Sequence, residues 1–190
     1  RDIFVSKLDA SGNFVWAKRM GGSGSDVGNS ISVDASGNVY TTGIFDGTVD
    51  FDPNAGTTNI TTSGNYDVFI QKLDVSGDLA WVKTIGSTYN DFGQGIAVDD
   101  LGNIYTAGSF RGNTDFDPNG GTQFFVASAG PDDIFVHKMS SCSSPSSPTG
   151  SENQSFCSGQ TVSQIDVTGT GIVWYDAATG GAVVAGTTPI

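Results

Sequence analysis

The sequence predicts an all-β fold assembled from four-stranded antiparallel blades, and three observations carry that prediction. One segment occurs three times, as Asp2-Ile3-Phe4-Val5, Asp67-Val68-Phe69-Ile70 and Asp133-Ile134-Phe135-Val136, at offsets of 65 and 66 residues. The same 65-residue step carries Trp16 onto Trp81, Asp34 onto Asp99, Tyr40 onto Tyr105, and Asp50-Phe51-Asp52-Pro53-Asn54 onto Asp115-Phe116-Asp117-Pro118-Asn119. Within a unit, short β-branched and aromatic runs alternate with Asp/Ser/Gly/Asn clusters, and no stretch keeps a 3.6-residue period long enough for a helix.

Strands are expected near 29–35, 38–45, 66–73 and 79–86, and in the second copy near 94–100, 103–110 and 133–139, with two more at residues 2–20. The connections Asp9-Ala10-Ser11-Gly12-Asn13, Asp34-Ala35-Ser36-Gly37-Asn38, Asp74-Val75-Ser76-Gly77-Asp78 and Asp99-Asp100-Leu101-Gly102-Asn103 place Gly where a tight hairpin needs positive φ. A four-stranded unit cannot bury both faces of its own sheet, so the units must stack, and radial repetition into a β-propeller is the usual solution. The nine expected strands of residues 1–140 fall short of the roughly four to eight blades of a closed ring. The remaining blades are expected upstream of Arg1 or on a partner chain, and the chain is read as a fragment whose two ends fall inside strand-like runs. The last unit stops at three strands, so a strand from elsewhere in the polypeptide, or from a partner, is expected beside residues 133–139.

Composition excludes several function classes. With 20 acids, 8 Lys/Arg and a net charge of −12, the chain repels a phosphate backbone, and no basic cluster offsets this locally, so nucleic acid is not an expected partner. No apolar run approaches the ~18–20 residues of a membrane span, and residues 1–20 lack a signal-peptide layout, so the expectation is a soluble chain with no transmembrane segment.

The strand pattern D-[IV]-F-[VI]-x-K-[LM], the following G-[ND]-hydrophobic-x-W-x-K strand and the pair [IV]-x-V-D-x-x-G-N-[VI]-Y-x-[TA]-G resemble the SBBP β-propeller repeat over residues 1–140. That resemblance implies a large secreted or surface protein of bacteria that use type IX secretion, many of them gliding species. Residues 141–150, Ser/Pro-rich, read as a linker. Residues 151–190, with Ser155-Phe156-Cys157 and the stretch Trp174-Tyr175-Asp176-Ala177-Ala178-Thr179-Gly180-Gly181, are similar to the first half of a small Ig-like module found along such surface proteins.

The chemistry-bearing residues are few. His137 is the single histidine and aligns with Ser6 and Gln71, which favours an ordinary strand residue over a catalytic one. Trp16 and Trp81 share one repeat position and are expected to pack between blades, in equivalent environments, rather than to form a sugar-stacking platform with Trp174. Cys142 and Cys157 either pair with each other, closing a loop of about 15 residues worth ~3 kcal/mol, or Cys157 takes a partner beyond Ile190, as the Ig-like resemblance implies. Either pairing implies an oxidising compartment. Asp50 and Asp52, and their copies Asp115 and Asp117, place two carboxylates at i and i+2 on one face of an extended segment. Hard oxygen ligands at that spacing suit calcium, and the alternative is a loop in which the acids cap backbone N–H groups.

The function expected from this reading is non-enzymatic: an extracellular or cell-surface recognition or adhesion module, exported by type IX secretion and linked to gliding or attachment. Its expected partners are the export machinery and a surface glycan or protein ligand. The alternative is a secreted polysaccharide-acting enzyme whose catalytic residues lie outside these 190 residues.

Overall fold

The computed structural model describes residues 1–118 and 125–140, and the backbone of 174–175 and 183–184. Every regular element among them is a strand. The first blade contributes β1 (Ile3–Leu8) and β2 (Phe14–Gly22); the second is β3 (Val27–Val33), β4 (Val39–Asp50), β5 (Asn59–Leu73) and β6 (Leu79–Ile85). The third has β7 (Phe92–Val98) and β8 (Ile104–Phe110), a short arm of β9 (Asn113–Asp115) and β10 (Phe125–Ala127), and β11 (Asp133–Met139). Neighbours within a blade pair antiparallel in sequence order, so the second blade runs β3-β4-β5-β6 and the third β7-β8-β11.

All four five-residue connections are hairpin turns with one chemistry. The aspartate's Oδ1 accepts the N–H groups two and four residues on, as from Ser11 and Asn13 to Asp9 and from Leu101 and Asn103 to Asp99. The fourth residue, Gly, carries the positive φ, +82° at Gly77. Gly77 is needed for space as well: a Cβ there would stand 3.1 Å from the Trp16 ring of the preceding blade. The bonds from the Asn13 and Asn103 amides hold the carboxyls of Asp9 and Asp99 below the usual carboxylate value.

Two features extend the expected pattern. β4 and β5 continue past the blade as a hairpin arm, in which Thr48, Val49 and Asp50 pair with Thr61, Ile60 and Asn59, and β9–β10 is the counterpart arm of the third blade. The arm also reaches back to the preceding blade, where Gly21 pairs with Asp50 and Gly22 with Val49; a bridge from Gly86 to Asp115 repeats this one unit later. A Cβ on Gly22 would lie 2.1 Å from the Thr48 carbonyl oxygen, so only glycine permits this approach.

The core lies between blades and recurs with the sequence. One cluster joins Ile3, Val5 and Met20 to Val39, Phe45, Phe51, Phe69 and Leu73. The next joins Val68, Ile70 and Ile85 to Ile104, Phe110 and Phe135, with Phe116 and Met139 packed against it, each residue being the repeat counterpart of one in the first cluster. Removing such apolar surface from water is what the stacking of blades gains over an isolated sheet.

The chain divides into two compact units, 1–141 and 142–190. In the second, β12 (Trp174–Tyr175) and β13 (Val183–Val184) form one antiparallel pair, Trp174 opposite Val184. The linker at 141–150, the Cys142 and Cys157 pairings, and the rest of the Ig-like expectation lie outside the described residues.

Candidate functional site

The recurrent Asp-Phe-Asp-Pro-Asn loop follows β4 at the tip of the first arm, its copy begins at the end of β9, and its aromatic residue explains its recurrence. Phe51 is fully buried between the first two blades, its ring 5.3 Å from both Phe45 and Phe69; Phe116 occupies the same place one unit on, 5.1 Å from Phe110 and 5.4 Å from Phe135. Gln71 fixes the first loop by donating from Nε2 to the Phe51 carbonyl at 2.9 Å, while its Oε1 accepts the Thr41 hydroxyl. Around the plug the acids serve the backbone. Asp50 Oδ1 accepts from the N–H groups of Asp52 and Thr58, Asp52 Oδ1 accepts from Asn54 N–H, and Asp115 Oδ1 accepts from Asp117 N–H. Asn54 is clasped in turn by Lys18 of the first blade and Asp78 of the second. Among the described residues no three His, Cys, Asp or Glu side chains gather as a metal-holding group.

His137 stands where Gln71 stands in the preceding unit and does half of its work. Its ring meets the Phe116 carbonyl, and its Nδ1 is buried without a hydrogen-bond partner. Thr106, the counterpart of Thr41, has a buried hydroxyl that is likewise unpartnered. Burial holds the imidazole below its ordinary pKa against the opposite pull of the Phe116 carbonyl and Asp117.

Trp16 and Trp81 are both half-buried, and each packs against the apolar cluster on its own side of the second blade. Trp16 donates its Nε1–H to the Val75 carbonyl in the next blade's turn, 3.3 Å away, which is packing between blades. Trp81 meets Tyr40 edge-on at 6.2 Å.

The buried acids between blades escaped the sequence reading. Asp26 accepts from Gly22 N–H and Asp46 N–H; 65 residues later Asp91 accepts from Ser87 N–H and Arg111 N–H. Both are fully buried and lock the end of one blade to the arm of the next. The recurrence of Asp-hydrophobic-Gly at Asp26-Val27-Gly28 and Asp91-Phe92-Gly93 was the available signal. Beside Asp91 lies Asp67, whose Oδ2 accepts from Ser63 N–H while its buried Oδ1 has no partner. Burial, with the nearby Asp91 charge adding to it, raises the Asp67 carboxyl from 3.8 to about 6.

A cavity of about 440 Å³ lies against β11, lined by Phe110, Phe116, Val126, Ile134, Phe135 and His137 among others. Among the described residues β11 pairs only with β8.

Known proteins match this chain in part. A 31% identical stretch of 110 residues, half of the chain but 8% of the relative, is shared with an uncharacterized WD repeat-containing protein, L264, of Acanthamoeba polyphaga mimivirus. A 24% identical stretch of 130 residues, 66% of the chain and 14% of the relative, is shared with the regulatory protein FlaEY of Caulobacter vibrioides. The chain therefore spans only a small part of either. The family model of the SBBP beta-propeller repeat matches residues 15–43 and 80–109, within the stacked antiparallel strands of the first unit.

Proposed function

We propose that the chain contributes blades to a non-catalytic recognition or adhesion module that works outside the cell or at its surface. The observation that supports this most is the division of labour among side chains. The recurring acids, amides and aromatics hold turns, plug inter-blade cores or clamp blade to blade. Exposed turn positions change between repeats, as from Ala35 to Asp100 and from Ser36 to Leu101. Variable loops on a rigid repeated frame are the usual arrangement of a binding surface. The likeness of residues 1–140 and 151–190 to modules of type IX-secreted surface proteins supports export by that route, and with it a link to gliding or attachment. Further blades, from the same polypeptide or a partner chain, complete the ring. Calcium at Asp50–Asp52 and Asp115–Asp117 belongs to this proposal only as an addition to capping, through hard oxygen ligands of the kind that cation takes.

The test is an array of surface glycans and extracellular proteins probed with the 190-residue chain, with protease shaving of producing cells to locate the protein. Saturable binding to one ligand class and loss of the protein on shaving are expected. Binding to nothing on the arrays, or full protection from the protease, overturns the reading.

A further inference from the structure

We propose that Lys18 and Asn54 join in an intramolecular isopeptide bond, with Asp78 carrying the protons, so that the first blade is tied covalently to the arm of the second. This goes beyond the recognition role and does not depend on it.

Three side chains from separate elements meet at this place. Lys18 stands on β2 of the first blade, Asn54 in the loop that follows β4, and Asp78 in the turn between β5 and β6. Lys18 Nζ donates to Asn54 Oδ1 at 2.6 Å, Asn54 Nδ2 donates to Asp78 Oδ1 at 3.1 Å, and the same Asp78 oxygen lies 3.5 Å from Lys18 Nζ. The amine is thus held against the carboxamide it attacks, since Cγ is at most one carbonyl bond, about 1.2 Å, beyond Oδ1. One carboxylate oxygen reaches both the nucleophile and the leaving group, which is the placement that proton transfer between them needs.

Each member is held from behind. The Asn54 loop is anchored by the buried Phe51 ring and by Asp52 Oδ1, which accepts Asn54 N–H. Asp78 donates its N–H to Asp74 Oδ1, and its turn is gripped by Trp16, whose Nε1–H donates to the Val75 carbonyl. A Cβ on Gly77 would stand 2.9 Å from Lys18 Cε, so the lysine stem lies directly on that glycine, and its side chain is only 17% exposed. Reactants fixed in this way meet at an effective concentration of roughly 10⁵ M or more.

The turns supply the comparison that singles out Asp78. Three of the four five-residue turns end in an amide, Asn13, Asn38 and Asn103, and each of these donates back to the aspartate of its own turn. The turn that ends in an acid is the one that faces a Lys–Asn pair, and its Oδ1 is directed at that pair instead. A salt bridge alone does not account for the acid, because Asp78 is 57% exposed and an ion pair so open to water contributes little.

The step balances without a co-reactant. Asp78 takes a proton from the Lys18 ammonium, and the freed Nζ lone pair attacks Asn54 Cγ. Asp78 then returns that proton to Nδ2 and accepts the second one from Nζ. The Nζ–Cγ bond forms, the Cγ–Nδ2 bond breaks, and Nδ2 leaves with both protons as ammonium, so Asp78 ends as a carboxylate and nothing is oxidised. The product closes residues 18–54 into a loop that unfolding cannot open.

The test is the intact mass and tryptic map of the purified 190-residue chain after a week at pH 8. The chain should be lighter than its sequence by one ammonia, and tandem spectra should show the Lys18 peptide joined to the Asn54 peptide, with no cleavage after Lys18. Lys18→Arg keeps the charge but not the nucleophile, and Asp78→Asn installs the residue of the other three turns. Each should restore the full mass and unlinked peptides, keep the β-sheet circular dichroism of the native chain, and melt ~10 °C lower. Unlinked peptides from the native chain overturn the proposal, whether or not the variants fold. So does a mass loss that persists in Lys18→Arg, which would mark a succinimide at Asn54.

Discussion

Asp67 gives the sharpest handle on how the blades are held together. Its carboxyl is 3% exposed, its Oδ1 has no partner, and the buried Asp91 lies close by. A group whose folded pKa lies above its unfolded value stabilises the fold below the unfolded pKa, and that stability is lost as pH rises through the folded pKa. For Asp67 the window runs from 3.8 to about 6. At about 1.4 kcal/mol per tenfold in the ionisation constant, the full loss has a ceiling of about 3 kcal/mol. The turn aspartates Asp9, Asp34, Asp74 and Asp99 are shifted downward, so their stabilisation is lost only as pH falls below the ordinary carboxylate range, outside this window. Asp67→Asn keeps the shape and an acceptor for Ser63 N–H but cannot ionise. Urea unfolding of both proteins at steps from pH 4 to pH 8 should show the variant gaining on the native chain as pH rises, by up to ~3 kcal/mol. A difference that stays constant from pH 4 to pH 8 would refute the assignment of this charge to a buried, unpaired site.

The other tests use the repeat as its own control. His137→Gln should reproduce the Thr41–Gln71–Phe51 bonding at Thr106 and Phe116 and stabilise the fold by ~1 kcal/mol in thermal or urea melts; a destabilised variant would show that the imidazole has a role the glutamine lacks. Phe51→Ala removes a fully buried ring from an inter-blade core and should cost ~3–5 kcal/mol, read by urea unfolding. Asp50→Ala removes an acceptor for two N–H groups and should cost ~1 kcal/mol; melts with calcium and with chelator then separate capping from cation binding, since a ligand specific to the native state raises the melting temperature and a cap alone does not.

The sequence made the frame legible because its signals are local and repeated. The Asp-x-x-Gly-Asn/Asp turns encode both the positive φ and the capping acceptor within five residues, so the strand ends that flank them lie within about two residues of the expected places. The arms were not legible. Residues 59–65, Asn-Ile-Thr-Thr-Ser-Gly-Asn, lie outside the expected strands, and what makes them a strand is pairing with Thr48, Val49 and Asp50 across the chain. The aspartates of the Asp-Phe-Asp-Pro-Asn loop drew attention as carboxylates, whereas the residue that positions the loop is the phenylalanine between them, whose burial depends on the neighbouring blade.

The same dependence explains why the identity of a residue says little about its exposure in this fold. Phe4, Phe69 and Phe135 hold one repeat position, yet Phe4 is 73% exposed, Phe69 is fully buried and Phe135 is 8% exposed. The difference is the neighbour: Phe69 and Phe135 each face a preceding blade, and Phe4 has none among the described residues. Ile134 and Val136 present the complementary case on the opposite face of the third blade. An aromatic or branched side chain exposed at a repeat position whose counterparts are buried therefore marks an unfilled inter-blade face. That criterion separates Phe4, Ile134 and Val136 from Leu101, which is 77% exposed in a turn where its counterpart Ser36 is also exposed.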